Sequence, residues 1–360
     1  MKSPSAEERY IGSVVGVAAG DVLGAPHEGF DLSVYPTDEM IENSEHPEFM
    51  KPIYEFIRSI HDEHDGVVKD ILESSGFWAF GEQTDDTAQT VRVIDSINQL
   101  GKFDMEDITK RLVKWYDGGM GRGLGGTSAL SLMLAEAGVV WQETGFKAID
   151  MGQVSFRSKK SGNLWKVSAI PSNGSLMRTT PVGLYFSGSP EKIDMAAEDL
   201  SIVTHAFDAC IDTCKLASQL IGKLAEGWSK DEAIDYVESQ YPEIFNEAIS
   251  TVNQDFAHTG GAYTSLGIAL EAFMGNDNFE DTIIAAANPQ TWSPIKSWGK
   301  GYNGPDTDTY AAITGGIAGA LYGIEQIPTR WTDVMNPLSG DHLKLKAIEL
   351  YARSIERKSK

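Results

Sequence analysis

Ile11, Val14, Val15, Ala18, Ala19, Val22 and Leu23 recur at i, i+3, i+4, i+7 spacing, which predicts an amphipathic helix over residues 8–23, stopped by Gly24 and Pro26. A second stripe, Ala88, Val91, Ile94 and Ile97, predicts a helix over 86–100 that ends at Gly101. Val203, Ala206, Cys210, Ala217, Ile221 and Leu224 read as the stripe of a third helix, with His205 on it. A fourth follows Gly260-Gly261 and contains Leu266, Ala269, Leu270 and Phe273. The fifth runs from about Thr309 to Tyr322 and carries Gly315, Gly316 and Gly319, with Gly323 just after it. A glycine inside a helix costs about 1 kcal/mol relative to alanine. Several together predict that another helix passes very close. Alternating strand patterns are scarce, and no glycine fingerprint for a nucleotide follows a strand. The expected fold is therefore all-α, a single compact domain of crossing helices over 1–360. Residues 31–79, 150–175 and 288–305 look irregular. The last holds two tryptophans and three prolines and suits the rim or lid of a site.

Composition narrows the class. The chain has 360 residues, 41% hydrophobic and 23% charged, which is the balance of a folded globular protein. A net charge of −22 argues against nonspecific binding to nucleic acid or to an anionic membrane surface. No apolar run is long enough to span a bilayer, and Met1 to Tyr10 lack the features of a secretion signal. Cys210 and Cys214, four apart on a predicted helix, are expected as buried free thiols. These features suit a cytoplasmic protein, and a monomer is expected.

Charge also singles out the chemistry. Thr84-Asp85-Asp86-Thr87 and Asp306-Thr307-Asp308-Thr309 lie 306 − 86 = 220 positions apart, yet share one build. In each, two carboxylates and two threonines precede an apolar, helix-period run. Asp and Thr are common helix caps, and either cluster alone reads as one. Together, four carboxylates without basic partners would repel one another. Carboxylate and hydroxyl oxygens are the ligands that Mg²⁺, Mn²⁺ and Ca²⁺ prefer, so the pairing predicts a metal site closed from the two ends of the chain. Glu28 follows the stop of the first helix. Gly121-Arg122-Gly123-Leu124-Gly125-Gly126-Thr127 precedes an apolar run, and a glycine loop feeding a helix start favours phosphate, although a turn explains it equally well. Asn173-Gly174-Ser175-Leu176-Met177-Arg178 reads as a ligand contact or as a turn with Arg178 in an ion pair, and His205 as a core histidine or a ligand contact. His61-Asp62-Glu63-His64-Asp65 reads as a solvated charged segment rather than a metal tract.

The ordered set resembles the ADP-ribosylglycohydrolase family across nearly the whole chain. The residues that carry the resemblance are Gly20-Asp21-Val22-Leu23-Gly24-Ala25-Pro26-His27-Glu28, the two acidic clusters, the 121–127 and 173–178 stretches, Thr204-His205 and Gly260-Gly261. The resemblance implies an all-α fold with a binuclear Mg²⁺ or Mn²⁺ centre in a cleft. By similarity Thr84, Asp85, Asp86, Asp306, Asp308 and Thr309 are metal ligands, and Glu28 or Asp86 is the acid/base. Gly121, Arg122, Gly123, Gly125, Gly126, Thr127, Asn173, Gly174, Ser175, Met177, Arg178 and His205 are expected substrate contacts. Five carboxylates (Glu28, Asp85, Asp86, Asp306, Asp308) carry −5 against +4 from two divalent ions, a nearly neutral site for ribose. The implied reaction is metal-assisted hydrolysis of the N- or O-glycosidic bond between ADP-ribose and a protein side chain, arginine ahead of serine. Alternatives are an ADP-ribosylated small molecule, a nucleic-acid end or O-acetyl-ADP-ribose as substrate, or a non-catalytic, crystallin-like ADP-ribose binder. Relative to the family pattern, 31–79 and 288–305 look like insertions that reshape the site's mouth.

Overall fold

The computed structural model describes residues 3–25, 81–116, 123–157, 164–252, 260–289 and 305–359. Residues 31–79, expected as an insertion, most of 288–305, Glu28, Gly121, Arg122 and the His61–Asp65 tract lie outside the described residues.

The described chain is mostly helical. Its helices are α1 (Ala6–Gly24), α2 (Asp85–Leu100), α3 (Met105–Trp115), α4 (Gly126–Glu136) and α5 (Trp141–Asp150). A hairpin follows, β1 (Val154–Arg157) and β2 (Leu164–Val167), antiparallel, with Val154 opposite Val167 and Arg157 opposite Leu164. A 3₁₀ turn at Leu176–Arg178 leads to α6 (Thr180–Tyr185), α7 (Pro190–Ile202), α8 (Asp208–Ala225), α9 (Lys230–Gln240) and α10 (Pro242–Val252). The rest are α11 (Ala262–Gly275), α12 (Phe279–Ala287), α13 (Thr307–Tyr322), α14 (Thr329–Thr332) and α15 (Gly340–Lys358). No helix among the described residues is long and apolar enough to cross a membrane.

The axis of the fold is the contact between α1 and α13. A Cβ built on Gly16 would lie 2.2 Å from the carbonyl oxygen of Gly315, one on Gly20 2.0 Å from that of Ala311, and one on Gly24 2.3 Å from that of Thr307. From the other side, a Cβ on Gly319 would lie 2.1 Å from the carbonyl oxygen of Gly12. Backbone meets backbone along four turns, so the helical glycines expected to need a close neighbour have one. Their propensity cost of about 1 kcal/mol each is offset by contact that any side chain would prevent. The seam also sets the register of the site. Thr307 donates to the carbonyl of Gly24 at 2.8 Å, which fixes the start of α13 against the end of α1.

Three expectations change. Helix α1 is not amphipathic: every residue from Arg9 to Gly24 is buried, as in a central helix packed on all sides. Arg9 is tolerated there because it donates to the carbonyls of Ala320 and Leu321, at the C-terminal end of α13. The third stripe is not one helix: Val203 and Ala206 lie, with His205, in the turn between α7 and α8, and only Cys210, Ala217, Ile221 and Leu224 belong to α8. Its periodicity runs on through the turn because both flanks face one core. The 150–175 stretch, expected to be irregular, contains the β1–β2 hairpin. Cys210 and Cys214 are buried free thiols. A single apolar cluster reaches from Tyr10 in α1 to Leu350 in α15. The Tyr10 hydroxyl, bonded to the Leu184 carbonyl and to Ser187 and Ser354, ties α1 to the 184–187 segment and α15.

Candidate functional site

The two acidic clusters meet. Helix α2 begins at Asp85, with Thr84 as its cap: the Thr84 hydroxyl accepts from the Asp86 N–H at 3.3 Å. A second carboxylate, Asp21 in the last turn of α1, accepts from the N–H groups of Thr84 (3.0 Å) and Thr87 (3.1 Å) and from the Thr87 hydroxyl (2.5 Å). A carboxylate at a helix N-terminus meets free N–H groups and the positive end of the helix dipole. Asp21 thus takes over the capping work and leaves the acids of α2 available. Burial still raises its carboxyl to about 6, against the lowering effect of its hydrogen bonds to Thr87 and Thr84.

Asp86 is the junction. Its Oδ2 accepts from the hydroxyls of Thr84 (3.2 Å) and of Thr309 (3.3 Å), one from each cluster. Its Oδ1 is enclosed and has no hydrogen-bond partner. Burial first, then the charges of Asp21, Asp85 and Asp306, push the Asp86 carboxyl well above the ordinary carboxylate range. Asp306 receives the Asn173 side-chain amide at 2.8 Å, and the same amide nitrogen reaches the Ser265 hydroxyl at 2.9 Å. Asp306 makes no side-chain cap to its own helix. Asp308 accepts from the N–H of Thr309 at 2.8 Å. Among the described residues, no three Asp, Glu, His or Cys side chains are grouped closely enough to hold a metal ion.

The remaining motifs assemble around the loop 171–175. Ser172 pairs with Gly261 as an antiparallel bridge, and Asn173 N–H donates to Gly260 at 2.8 Å. Gly260 has φ +76, and a Cβ there would lie 2.9 Å from Asp306 Oδ2, so only glycine suits the position. A Cβ on Gly174 would lie 2.8 Å from the His205 ring and 3.1 Å from the Ser128 hydroxyl. Gly174 therefore sits between the 204–205 turn and the start of α4. That helix starts at Gly126, earlier than the apolar run suggested, with Gly125 as its cap. Its first turn holds no acidic residue, and a Cβ on Gly125 would meet nothing within 4 Å. The N–H groups of this helix end can accept an anion. Thr127, expected to touch substrate, exchanges hydrogen bonds with the backbone of Ile170, donating at 3.2 Å and accepting at 3.0 Å.

Arg178 and His205 face protein groups. Arg178 is wholly enclosed and donates to Gln89 Oε1 (2.5 Å), Thr204 Oγ1 (2.6 Å) and the Leu200 carbonyl (3.2 Å). No ion pair among the described residues holds it, unlike the expected structural alternative. Burial lowers its guanidinium to about 10, so it stays cationic at neutral pH. His205 is buried, with Nδ1 at 2.8 Å from the Thr204 hydroxyl and Nε2 at 2.9 Å from the Ser172 hydroxyl. Burial, then the Arg178 charge, lower its pKa to about 3, which keeps the ring neutral. Ser175 bonds Ser201 at 2.9 Å, and Met177 is buried in the core cluster. Asp21 and Gln89 were not expected as site residues. For Asp21 a signal existed: it is an acid inside an otherwise apolar helix face.

The ADP-ribosylglycohydrolase family profile matches residues 2–359. The chain belongs to the ADP-ribosylglycohydrolase family. It is 26% identical over 360 residues to the ADP-ribosylarginine hydrolase Tri1 of Pseudomonas putida (strain GB-1), covering 96% of this chain and 79% of that one. It is 22% identical over 346 residues to the ADP-ribosyl-[dinitrogen reductase] glycohydrolase of Rhodospirillum rubrum, covering 92% and 91%. A solved structure titled "ADP-ribosylglycohydrolase-related protein complex" superposes with a TM-score of 0.67 at 23% identity, over 97% of this chain and 99% of that one, which shows the shared fold. Membership makes this ADP-ribosylglycohydrolase an enzyme of the glycosidase class, acting on bonds to ADP-ribose.

Proposed function

We propose that this ADP-ribosylglycohydrolase is a metal-dependent hydrolase that removes ADP-ribose from modified protein side chains, arginine ahead of serine. The observation that carries the reading is Asp86: a buried carboxylate where the two clusters meet, with one oxygen unpartnered and three acids nearby. The donors fit a hard divalent cation, since all are carboxylate or hydroxyl oxygens and the orphaned Oδ1 lacks the partner that a buried polar atom normally has. Thr84, Asp85, Asp86, Asp306, Asp308 and Thr309 would hold Mg²⁺ or Mn²⁺, which would neutralise the cluster and polarise oxygen atoms bound to it.

The protein groups divide the remaining work. Asn173 holds Asp306 in place, and Asp21 frees the start of α2 from capping by its own acids. Asp86, whose carboxyl is pushed above the ordinary carboxylate range by burial and by the neighbouring acids, is one candidate for acid/base work at the glycosidic oxygen or nitrogen. Glu28, outside the described residues, is the other candidate for that role. The start of α4, with Gly125 and Gly126, offers N–H groups to the pyrophosphate.

The test is release of free ADP-ribose from arginine- and serine-modified proteins, with Mg²⁺, Mn²⁺ or EDTA. Release that EDTA stops, faster from arginine, is expected. Release that EDTA leaves unchanged removes the metal from the reading. No release from either substrate removes the hydrolase reading.

A further inference from the structure

Arg178 is a buried cation with no carboxylate of the described residues in contact, and its hydrogen bonds run in two directions. A guanidinium only donates, so it fixes the polarity of everything attached to it. On one side Gln89 Oε1 accepts at 2.5 Å, which forces the Gln89 amide to present Nε2, and this donates to Asp85 Oδ2 at 3.1 Å. On the other side the Thr204 oxygen accepts at 2.6 Å. The same hydroxyl lies 2.8 Å from His205 Nδ1, and His205 Nε2 lies 2.9 Å from the Ser172 hydroxyl. The next residue, Asn173, donates to Asp306 at 2.8 Å. Gln89, Arg178, Thr204 and His205 are each 1% exposed or less, so water does not compete for these bonds.

We infer that Arg178, acting through Gln89, is a positioning residue that sets the orientation of the Asp85 carboxylate, while its other arm braces the loop that holds Asp306. One enclosed cation thereby aligns an acid from each cluster without touching either. The role explains why a site that repels its own acids keeps a guanidinium one side chain away rather than in contact. A direct ion pair would occupy Asp85, whereas an amide relay orders it and leaves it a ligand. The activity arm of the inference rests on the hydrolase reading.

Gln89→Glu separates positioning from scaffolding. It keeps an acceptor for Arg178 but replaces the N–H facing Asp85 with a carboxylate oxygen. At pH 8 the expected result is a melting temperature equal to or above wild type, with kcat reduced by about 10-fold or more and KM changed by less than about threefold, as for other supporting groups around a metal site. A crystal structure of the variant should show Arg178 still on residue 89 and Asp85 turned away from it. Wild-type kcat, or Asp85 in its original orientation, overturns the inference. Should Gln89→Glu fail to fold, Gln89→Asn has the same groups on a shorter stem that cannot span both partners, and the same kcat loss is expected; wild-type kcat again overturns it. If the wild-type protein itself releases no ADP-ribose, the hydrolase reading fails separately, and the orientation of Asp85 in the variant crystal alone decides the positioning role.

Discussion

Thr84–Thr87 and Asp306–Thr309 look alike on paper but are held by different means. At the start of α2, a threonine hydroxyl and a foreign carboxylate, Asp21, satisfy the helix N–H groups. At the start of α13, no side chain of Asp306 caps the helix; the glycine seam and the Thr307–Gly24 bond fix its position instead. In neither case does the cap consume Asp86 or Asp306. Helix capping, the plain explanation for either cluster alone, thus fails to account for those two carboxylates. A buried acid without a capping task, such as Asp86, costs stability unless something neutralises it, which is a signature of function rather than of folding.

The difference can be broken from either side. The largest effect is expected at the junction itself. Asp86→Ala, or Asp308→Ala on the other cluster, should lower ADP-ribose release by roughly 10³-fold, the scale of losing a preorganised electrostatic group, with the helical circular-dichroism signal near wild type. Unchanged turnover in either variant removes its cluster from the site. Next is the α1–α13 seam. Gly24→Ala would push a methyl group against the backbone of Thr307 and Asp308, and overpacking of this kind costs about 1–3 kcal/mol. Thermal unfolding should register that loss, and activity should fall further than stability does because the second cluster moves. Asp21→Asn comes third. An amide cannot accept all the bonds that the carboxylate accepts, so an N–H of Thr84 or Thr87 is left unsatisfied, at about 1–3 kcal/mol. Denaturant titration checks this; a variant as stable as wild type would mean that the relief of repulsion on Asp86 outweighs the lost cap.

The smallest effect is on pH dependence. His205 has its folded pKa lowered to about 3 from the ordinary 6.5, so the unfolded chain binds more protons between those values. Its contribution is fully present above about pH 6.5 and is lost as pH falls toward 3. Compared with His205→Gln, the wild type should show the steeper loss of stability across that window. Parallel curves would show that the ring is not buried neutral.

Much of this was legible in the chain. The start of α13 and the glycine-driven close contact followed from periodicity and from the cost of glycine in a helix. The pairing of the clusters followed from shared composition and the absence of basic residues beside them. Other features were hidden for physical reasons. The turn at 203–207 keeps the apolar phase of its flanking helices, so no break in pattern marks it and His205 reads as helical. Thr127 and Arg178 have side chains that suit a ligand, but their partners come from distant segments, Ile170 and Gln89, which local spacing cannot reveal. Asp21 lay in plain view within the first helix. Its role depends on α2 arriving against that turn, which no local pattern encodes.

The most direct measurement is anomalous diffraction at the manganese edge from crystals grown with Mn²⁺. The account predicts anomalous density bounded by Asp86 from the first cluster and by Asp306 or Asp308 from the second. Saturating Mn²⁺ with no density between them, or density confined to one cluster, would contradict it.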